Sequence, residues 1–568
     1  MRQRRLNWET PLLLFIGSLS WSLTMIKSGL PTKWGLGFWG ANGHDAIWHL
    51  SLIESIKQGF PVVNPLFSPT PISNYHWGFD LIIALASKWT GLSAGVLYFQ
   101  ILPPLMAIAI GVLTFLLIKE WTGSKKAANW ATFFTFFGGS FGWFITYLRS
   151  GQLGGESLFW SQQSISTLIN PPFALSLVFL IGGFYLVIKG LNPKFPLLVL
   201  QIIIFGLLFF VKSYAGVIGL AGLTIIAFWQ VLIKKQLVGL WRAGGAIIIT
   251  VLLFLWTAPQ SSGLLVLEPL WFPRTMIEAP DRLFIPKLAE AFNAYLFLGL
   301  YSRVIILSIL ITTVFILGNI GTRILGLIYL LNLLKGNWRE RYFDLALIGM
   351  SLIALIFPLV FVQKGTTWNT IQFFYYGQIF VGWTAGIEIA RLKISKPFYK
   401  KLLLLSIILF TLPTSFSSLY YNYLPNRPPA TLPFNELSAL NFLKREPPGT
   451  VLTYPYEKPA LTQLPEPPIP LRKYTSTAYV SAYSGKPSYL ADSVNLDILG
   501  VPWKQRHEQA MKFFTAGDTF MAMRFLRDNR ILYVYLSEDQ VLPGSVRELG
   551  LSAIYSQAGI RIYRVDGL

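Results

Sequence analysis

Apolar runs long enough to cross a bilayer recur along most of this chain, with short basic stretches between them. They confine the polypeptide to a helical membrane fold before any single residue is considered. A crossing needs roughly 20 predominantly apolar residues, because every backbone polar group inside lipid has to be satisfied within the segment. Such runs lie near 11–26, 95–118, 130–148, 173–189, 196–211, 215–233, 240–257, 303–318, 345–362, 371–390 and 400–418. The composition agrees: 53% of residues are hydrophobic and only 13% charged, against roughly 25% charged in a soluble domain. The 19 Trp, 25 Tyr and 43 Phe often flank the runs, where amphipathic rings settle at the interface.

The net charge of +21 does not point to nucleic acid. The Lys and Arg sit in short loops between apolar runs and no basic patch interleaves with aromatics on a polar face, so topology and anionic headgroups explain them better. The absence of cysteine removes disulfides, thiolate catalysis and thiolate-bound zinc. Met1–Arg5 is basic and precedes the first run, which reads as a retained span with a cytoplasmic N-terminus.

Letting basic loops mark the cytoplasm sets the order. Residues 29–93 then form a first extracytoplasmic loop, with an interfacial helix at 79–89. Lys119, Lys125 and Lys126 return inside, as do Lys189, Lys194, Lys234 and Lys235. Further external loops cover the polar stretch 149–172, with Ser161 to Ser166, and about 258–300. The segment 320–334 reads as a cytoplasmic interfacial helix before Lys335–Arg341. Arg391 to Lys401 is the strongest inside signal, so the last span exits. The glycines of Phe136-Phe137-Gly138-Gly139-Ser140-Phe141-Gly142-Trp143, in the run 130–148, are expected to permit close helix packing.

Beyond 420 the character changes. A linker from Asn426 to Pro433 and a proline-rich stretch, 446–470, precede mixed charge, helical spacing over 503–529, and strand-like 531–536 and 560–565. The expected fold class is therefore mainly α. It is a polytopic transmembrane helical bundle of about eleven spans (1–419) with a small α+β extracytoplasmic C-terminal domain (420–568). The expected location is the plasma (inner) membrane.

The chemistry concentrates in the first loop. Of four histidines, three (His44, His49, His76) lie between Gly43 and Asp80, with Asp45, Glu54 and Asp80. Ionisable residues beside lipid are functional candidates by default. Asp45 and His49 are four apart on a helix whose apolar face carries Ala46, Leu50, Ile53 and Ile56, so the two are expected to face one way. Asp45 is the candidate catalytic residue, a general base toward a substrate hydroxyl. A divalent metal on Asp45 and His49, completed by His44 or His76, is an open alternative, and no metal ligand set is assigned. The plain reading, that these groups only bond headgroups and water, also stands.

That order of features resembles the GT-C superfamily of membrane glycosyltransferases. Asp45 comes first, then a helix, Gly59-Phe60-Pro61, Tyr75-His76-Trp77, and an apolar helix closing at Trp89-Thr90-Gly91. Tyr479 to Gly485 and the strand-like tail are similar to the tails of bacterial members. The resemblance covers about the first 120 residues in detail and the rest in layout. It implies a polyprenyl-phosphate- or polyprenyl-diphosphate-linked sugar donor and an acidic first-loop residue, Asp45, acting as base or as metal ligand. It departs from the family in having one acid rather than a pair, and Tyr75-His76-Trp77 where many members have prolines. No tryptophan-rich acceptor motif of oligosaccharyltransferases is evident.

A lipid-phosphate leaving group needs cations or amides near it. Lys364, Asn369, Gln372, Arg274, Arg282 and Asn170 are candidate substrate-binding residues, with His44, His49, His76 and Tyr75 from the first loop. Arg offers a bidentate fork for phosphate; snorkelling at the interface is the plain alternative. The partners expected are the donor, the bilayer, and a protein, lipid or glycan acceptor. Two other classes stay open: a transporter or flippase of lipid-linked sugars, and a non-catalytic envelope assembly protein. No phosphate-binding loop of nucleotide hydrolases is present.

Overall fold

The computed structural model describes residues 8–258, 265–333, 338–457, 466–515 and 517–567. Met1–Arg5, part of the 335–341 run, part of the 258–300 loop and part of the 446–470 stretch lie outside them. The chain divides into two compact units: 1–24, 103–256 and 262–424 in one, and 25–102, 257–261 and 425–568 in the other.

The first unit is a helical bundle. Among the described residues seven helices are long and apolar enough to cross a membrane: Ala94–Thr122, Pro171–Lys189, Ser213–Lys234, Val238–Thr257, Tyr301–Leu333, Tyr342–Val360 and Pro397–Tyr423. Phe195–Val211 is apolar but shorter. These helices make the chain a multi-pass membrane protein. One segment differs from expectation. The run 130–148 is not one rod: helix Lys125–Phe137 stops, and Gly142–Ser150 starts afresh. The glycines explain the break, because a Cβ on Gly139 would lie 2.7 Å from the Thr414 side chain and one on Gly138 2.8 Å from Arg323. The packing expected there is present, at a chain break instead of inside a span. The helix that begins at Tyr301 ends at Ile320, where a boundary was expected. The chain continues through a tight turn, Gly321–Ile324, into Leu325–Leu333.

That turn carries Arg323, which is wholly buried. Its guanidinium donates to the carbonyls of Ile320 (2.9 Å) and Asn319 (2.8 Å) and to the side-chain oxygens of Gln163 (2.6 Å) and Gln378 (2.9 Å). Neutral amides and carbonyls thus satisfy a cation that would be costly in a helical core. The polar stretch Ser161–Ser166, legible in sequence only as a loop, is packed inside the unit to supply them.

The second unit joins the first loop to the tail. Gly35–Phe38 pairs antiparallel with Ala430–Leu432, matching Leu36 to Leu432 and Phe38 to Ala430. Pro31–Thr32 flanks one side and Ile469–Pro470, running parallel, the other. A second sheet has the order 450–453, 531–537, 560–565, 551–557, with the first pair parallel and the other two antiparallel. The strands expected at 531–536 and 560–565 are its two central members. The helix Asp45–Lys57 is buried on nearly every side, from Ala46 to Ile56. Its fellow, Gly78–Thr90, buries Phe79, Ile83 and Ala84 and exposes Ile82, Leu85 and Trp89. This is the one-sided pattern of an interfacial helix.

Gly35 makes the strand pairing feasible. Its φ is +128°, and an added Cβ would meet the Leu432 carbonyl oxygen. Gly35→Val should therefore destabilise this unit by at least about 1–3 kcal/mol. Faster limited proteolysis on both sides of the seam, at 25–102 and at 425–568, would report it.

Candidate functional site

Asp45 is the first residue of the helix Asp45–Lys57 and His44 its N-terminal flank. A carboxylate there is favoured by the helix dipole, which presents partial positive charge at that end. The turn Gly40–Gly43 delivers both residues. It packs tightly, since a Cβ on Gly43 would stand 3.1 Å from Ala430 and from the Tyr474 ring.

His44 lies between two carboxylates. Its Nδ1 is 2.8 Å from Asp45 Oδ1, and its Nε2 is 3.2 Å from Asp492 Oδ1. The three differ sharply in exposure: 53% for the Asp45 side chain, 18% for His44 and none for Asp492. Asp492 is held in a left-handed conformation (φ +47°) and caps the helix Ser493–Leu499. Its oxygens accept from the Asn495 backbone (3.2 Å) and side chain (2.7 Å). Burial acts to lower the His44 pKa, but the charge of Asp492 and the hydrogen bonds to both carboxylates outweigh it, raising the pKa to about 11 from 6.5. The ring is thus an imidazolium donating from both nitrogens. Burial and the nearby Asp45 charge also push the Tyr474 phenol up.

The result is a row running inward: open carboxylate, imidazolium, buried carboxylate. Asp45 Oδ1 is occupied by His44, while Oδ2 has no hydrogen-bond partner among the described residues. Such a group can take a proton from a ligand hydroxyl while the row behind it fixes its orientation.

The other first-loop candidates do not join that row. His49 turns to Asp80 instead of pairing with Asp45. Its Nδ1 is 2.8 Å from Asp80 Oδ1, with both side chains buried. The rings of Tyr75, Phe79 and Tyr98 surround it at 6.3, 6.3 and 5.8 Å. This pair ties the helix at 45–57 to the helix at 78–90. The i,i+4 spacing was a correct local count, overruled by a partner 31 residues away. His76 stacks on Tyr75 at 4.6 Å, and Tyr75 meets Trp48 edge-on at 5.3 Å. Among the described residues no three His, Cys, Asp or Glu side chains are grouped to hold a metal ion.

In the helical unit three expected residues do converge. Asn170 caps the helix Pro171–Lys189 and donates to Gln372 Oε1 at 3.2 Å. Gln372 donates to Asn369, which donates to Gln363 at 2.8 Å. Lys212 completes the group, its Nζ 3.4 Å from Asn170 Oδ1 and 5.6 Å from the Tyr214 ring. Sequence reading had passed over Lys212 as part of a connection. The available signal was a lone lysine between apolar runs, at the end opposite Lys189, Lys194, Lys234 and Lys235.

No hydrogen bond joins the remaining expected cations to this group among the described residues. Arg274 pairs with Glu268 (3.2 Å) and Glu278 (3.9 Å). Arg282 sits 4.1 Å over the Trp160 ring and bonds Ser157. Lys364 is exposed in the bend after the strand Phe361–Gln363.

No family model matches the chain. No curated protein matches it either. Solved structures do. The arabinofuranosyltransferase AftD from Mycobacteria superposes with a TM-score of 0.50 at 12% identity, over 98% of this chain and 40% of that one. The Archaeoglobus fulgidus oligosaccharyltransferase, with a tethered acceptor peptide, gives 0.49 at 13% identity, over 98% and 74%. ArnT from Cupriavidus metallidurans gives 0.43 at 10% identity, over 97% of each. All three are GT-C glycosyltransferases. The likeness to AftD shows the fold: the chain has the GT-C fold of membrane glycosyltransferases, and spans two fifths of AftD's length.

The row through His44 has a pH signature. An unfolded imidazole loses its proton near 6.5, whereas the folded one keeps it to about 11. The stabilisation is therefore complete below pH 6.5 and is lost as pH rises toward 11. Thermal unfolding in detergent should show a stability gap between wild type and His44→Gln that narrows steadily across that window. A gap independent of pH would contradict the charged row.

Proposed function

We propose that this protein is a membrane glycosyltransferase. It moves a sugar from a polyprenyl-phosphate-linked donor to an acceptor hydroxyl on the extracytoplasmic face, with inversion at the anomeric carbon. The carrying observation is Asp45: a half-exposed carboxylate with one oxygen engaged by a partly buried imidazolium and the other open. The GT-C fold is compatible with this reading.

In the proposed step the acceptor O–H hydrogen-bonds to Asp45 Oδ2. As the acceptor oxygen bonds to the anomeric carbon, its proton passes to Asp45. The bond between that carbon and the phosphate oxygen breaks, and its electron pair leaves with the phosphate. An imidazolium alone beside Asp45 would weaken it as a base. Asp492 on the far side offsets that charge, so His44 orients Asp45 while the row keeps net negative charge. A divalent metal does not fit this donor set: both His44 nitrogens face carboxylate oxygens and Asp492 is wholly buried. The step accordingly runs through protein groups alone.

Within the helical unit, taken by itself, Lys212 with Asn170, Asn369 and Gln372 is a cation-and-amide group that suits a phosphate. A buried lysine beside amide donors stabilises charge that grows on a leaving phosphate oxygen. This reading moves the phosphate role from Lys364, Arg274 and Arg282 to Lys212.

Two measurements test these roles. With radiolabelled polyprenyl-phosphate sugars, Asp45→Asn should lower kcat by about 100-fold or more while leaving the unfolding midpoint close to wild type. Undiminished transfer would remove Asp45 from the mechanism. Lys212→Gln should lower transfer about 100-fold, with Lys212→Arg recovering part of it. Equal loss in both would indicate a packing role instead.

A further inference from the structure

The second unit contains a cavity of about 220 Å³ whose wall includes Asp492. Its wall combines aromatic rings, among them Tyr454, Tyr456 and Trp503, with the hydroxyl-bearing run Thr475, Ser476 and Thr477. We propose that this cavity binds an uncharged saccharide unit of the acceptor, so that the acceptor is a glycan or a glycan-bearing molecule. The inference rests on the glycosyltransferase reading and deepens it.

Three observations support it. The first is the surface chemistry. Sugar rings present C–H faces that lie against aromatic rings and a rim of hydroxyls that need hydrogen bonds, and this wall offers both. Trp503 is fixed for the purpose, its Nε1 donating to Asp497 Oδ1 at 2.7 Å, and His507 meets the ring edge-on at 5.8 Å.

The second is charge. Arg472 lines the cavity, but its two terminal nitrogens are committed to Glu436 and to Glu538. Asp492 is committed to His44 and Asn495. Glu457 also lines the cavity as an exposed carboxylate, so a wall of two paired charges and one carboxylate suits a neutral ligand better than a phosphate or a carboxylate.

The third is unmet hydrogen bonding. Arg472 Nε and Thr477 Oγ1 are shielded from solvent and have no partner among the described residues. Buried polar atoms are nearly always paired, and an unpaired one calls for a partner from outside the chain. A sugar hydroxyl can accept from the first and exchange a hydrogen bond with the second.

The cavity also shares a residue with the proposed base. Asp492 contributes to its wall and, through His44, backs Asp45. A ligand seated there is placed beside the row that orients the base.

The test is saturation-transfer NMR and calorimetry on the purified full-length protein with neutral hexose, pentose and N-acetylhexosamine disaccharides. The expected result is binding of at least one, retained in Asp45→Asn. Thr477→Val, which keeps side-chain volume, should raise its Kd about tenfold, and Trp503→Ala should abolish binding. No binding by any disaccharide, while transfer to a peptide or simple lipid acceptor proceeds, would overturn the inference and leave the glycosyltransferase reading standing. Binding that Thr477→Val and Trp503→Ala do not change would overturn the assignment to this cavity. Binding weakened by both, with no transfer from any polyprenyl-phosphate sugar, would support the cavity and count against the glycosyltransferase reading.

Discussion

The second unit depends on one pairing of backbone: Leu36, Gly37 and Phe38 against Leu432, Thr431 and Ala430. These segments come from opposite ends of the chain, with most of the apolar helices between them. Closing so long a loop is entropically unfavourable, though the penalty grows only slowly with length. What it gains is a sheet that neither segment can form alone. It also fixes the turn Gly40–Gly43, which packs on Ala430 and Tyr474. Without that anchorage His44 would have no route to Asp492, 448 residues further on.

The cations Arg323 and His44 are treated in opposite ways, and the contrast follows from their surroundings. Arg323 is enclosed by helices and meets neutral amide and carbonyl oxygens. Those acceptors solvate the charge without introducing a second one. His44 lies at a helix start near the surface and is flanked by two full negative charges. Breaking such a pair leaves a buried carboxylate uncompensated, which is among the more costly single changes a core can suffer. Arg323 therefore reads as architecture. The row through His44 is a charge arrangement that ends in an accessible oxygen.

What could be read from the sequence was what local patterns encode. Hydropathy marked the apolar runs, and basic loops ordered them. Alternating β-branched and aromatic residues marked the strands at 531–537 and 560–565. Asp45 stood out because an ionisable residue next to an apolar span is rare. Distance in sequence hid the rest. The i,i+4 count joined Asp45 to His49, yet each found a different partner. Nothing near His44 announces Asp492, and nothing near Asn170 announces Lys212 or Gln372. Glycine was ambiguous for a related reason. Gly138 and Gly139 suit both helix packing and a chain break, and only the bulk of Thr414 and Arg323 decides between them.

The shared sheet has a consequence for how the protein is made. Gly35–Phe38 leaves the ribosome early, but its partner strand follows nearly four hundred residues later. At usual synthesis rates that is a wait of roughly 20–80 s. Throughout it an unpaired strand edge stands open to wrong partners. The strand is short and interrupted by Gly35 and Gly37, which blunts that hazard. It also follows that the tail is not a detachable module: a nascent chain released before residue 430 would carry Asp45 on an unfinished fold.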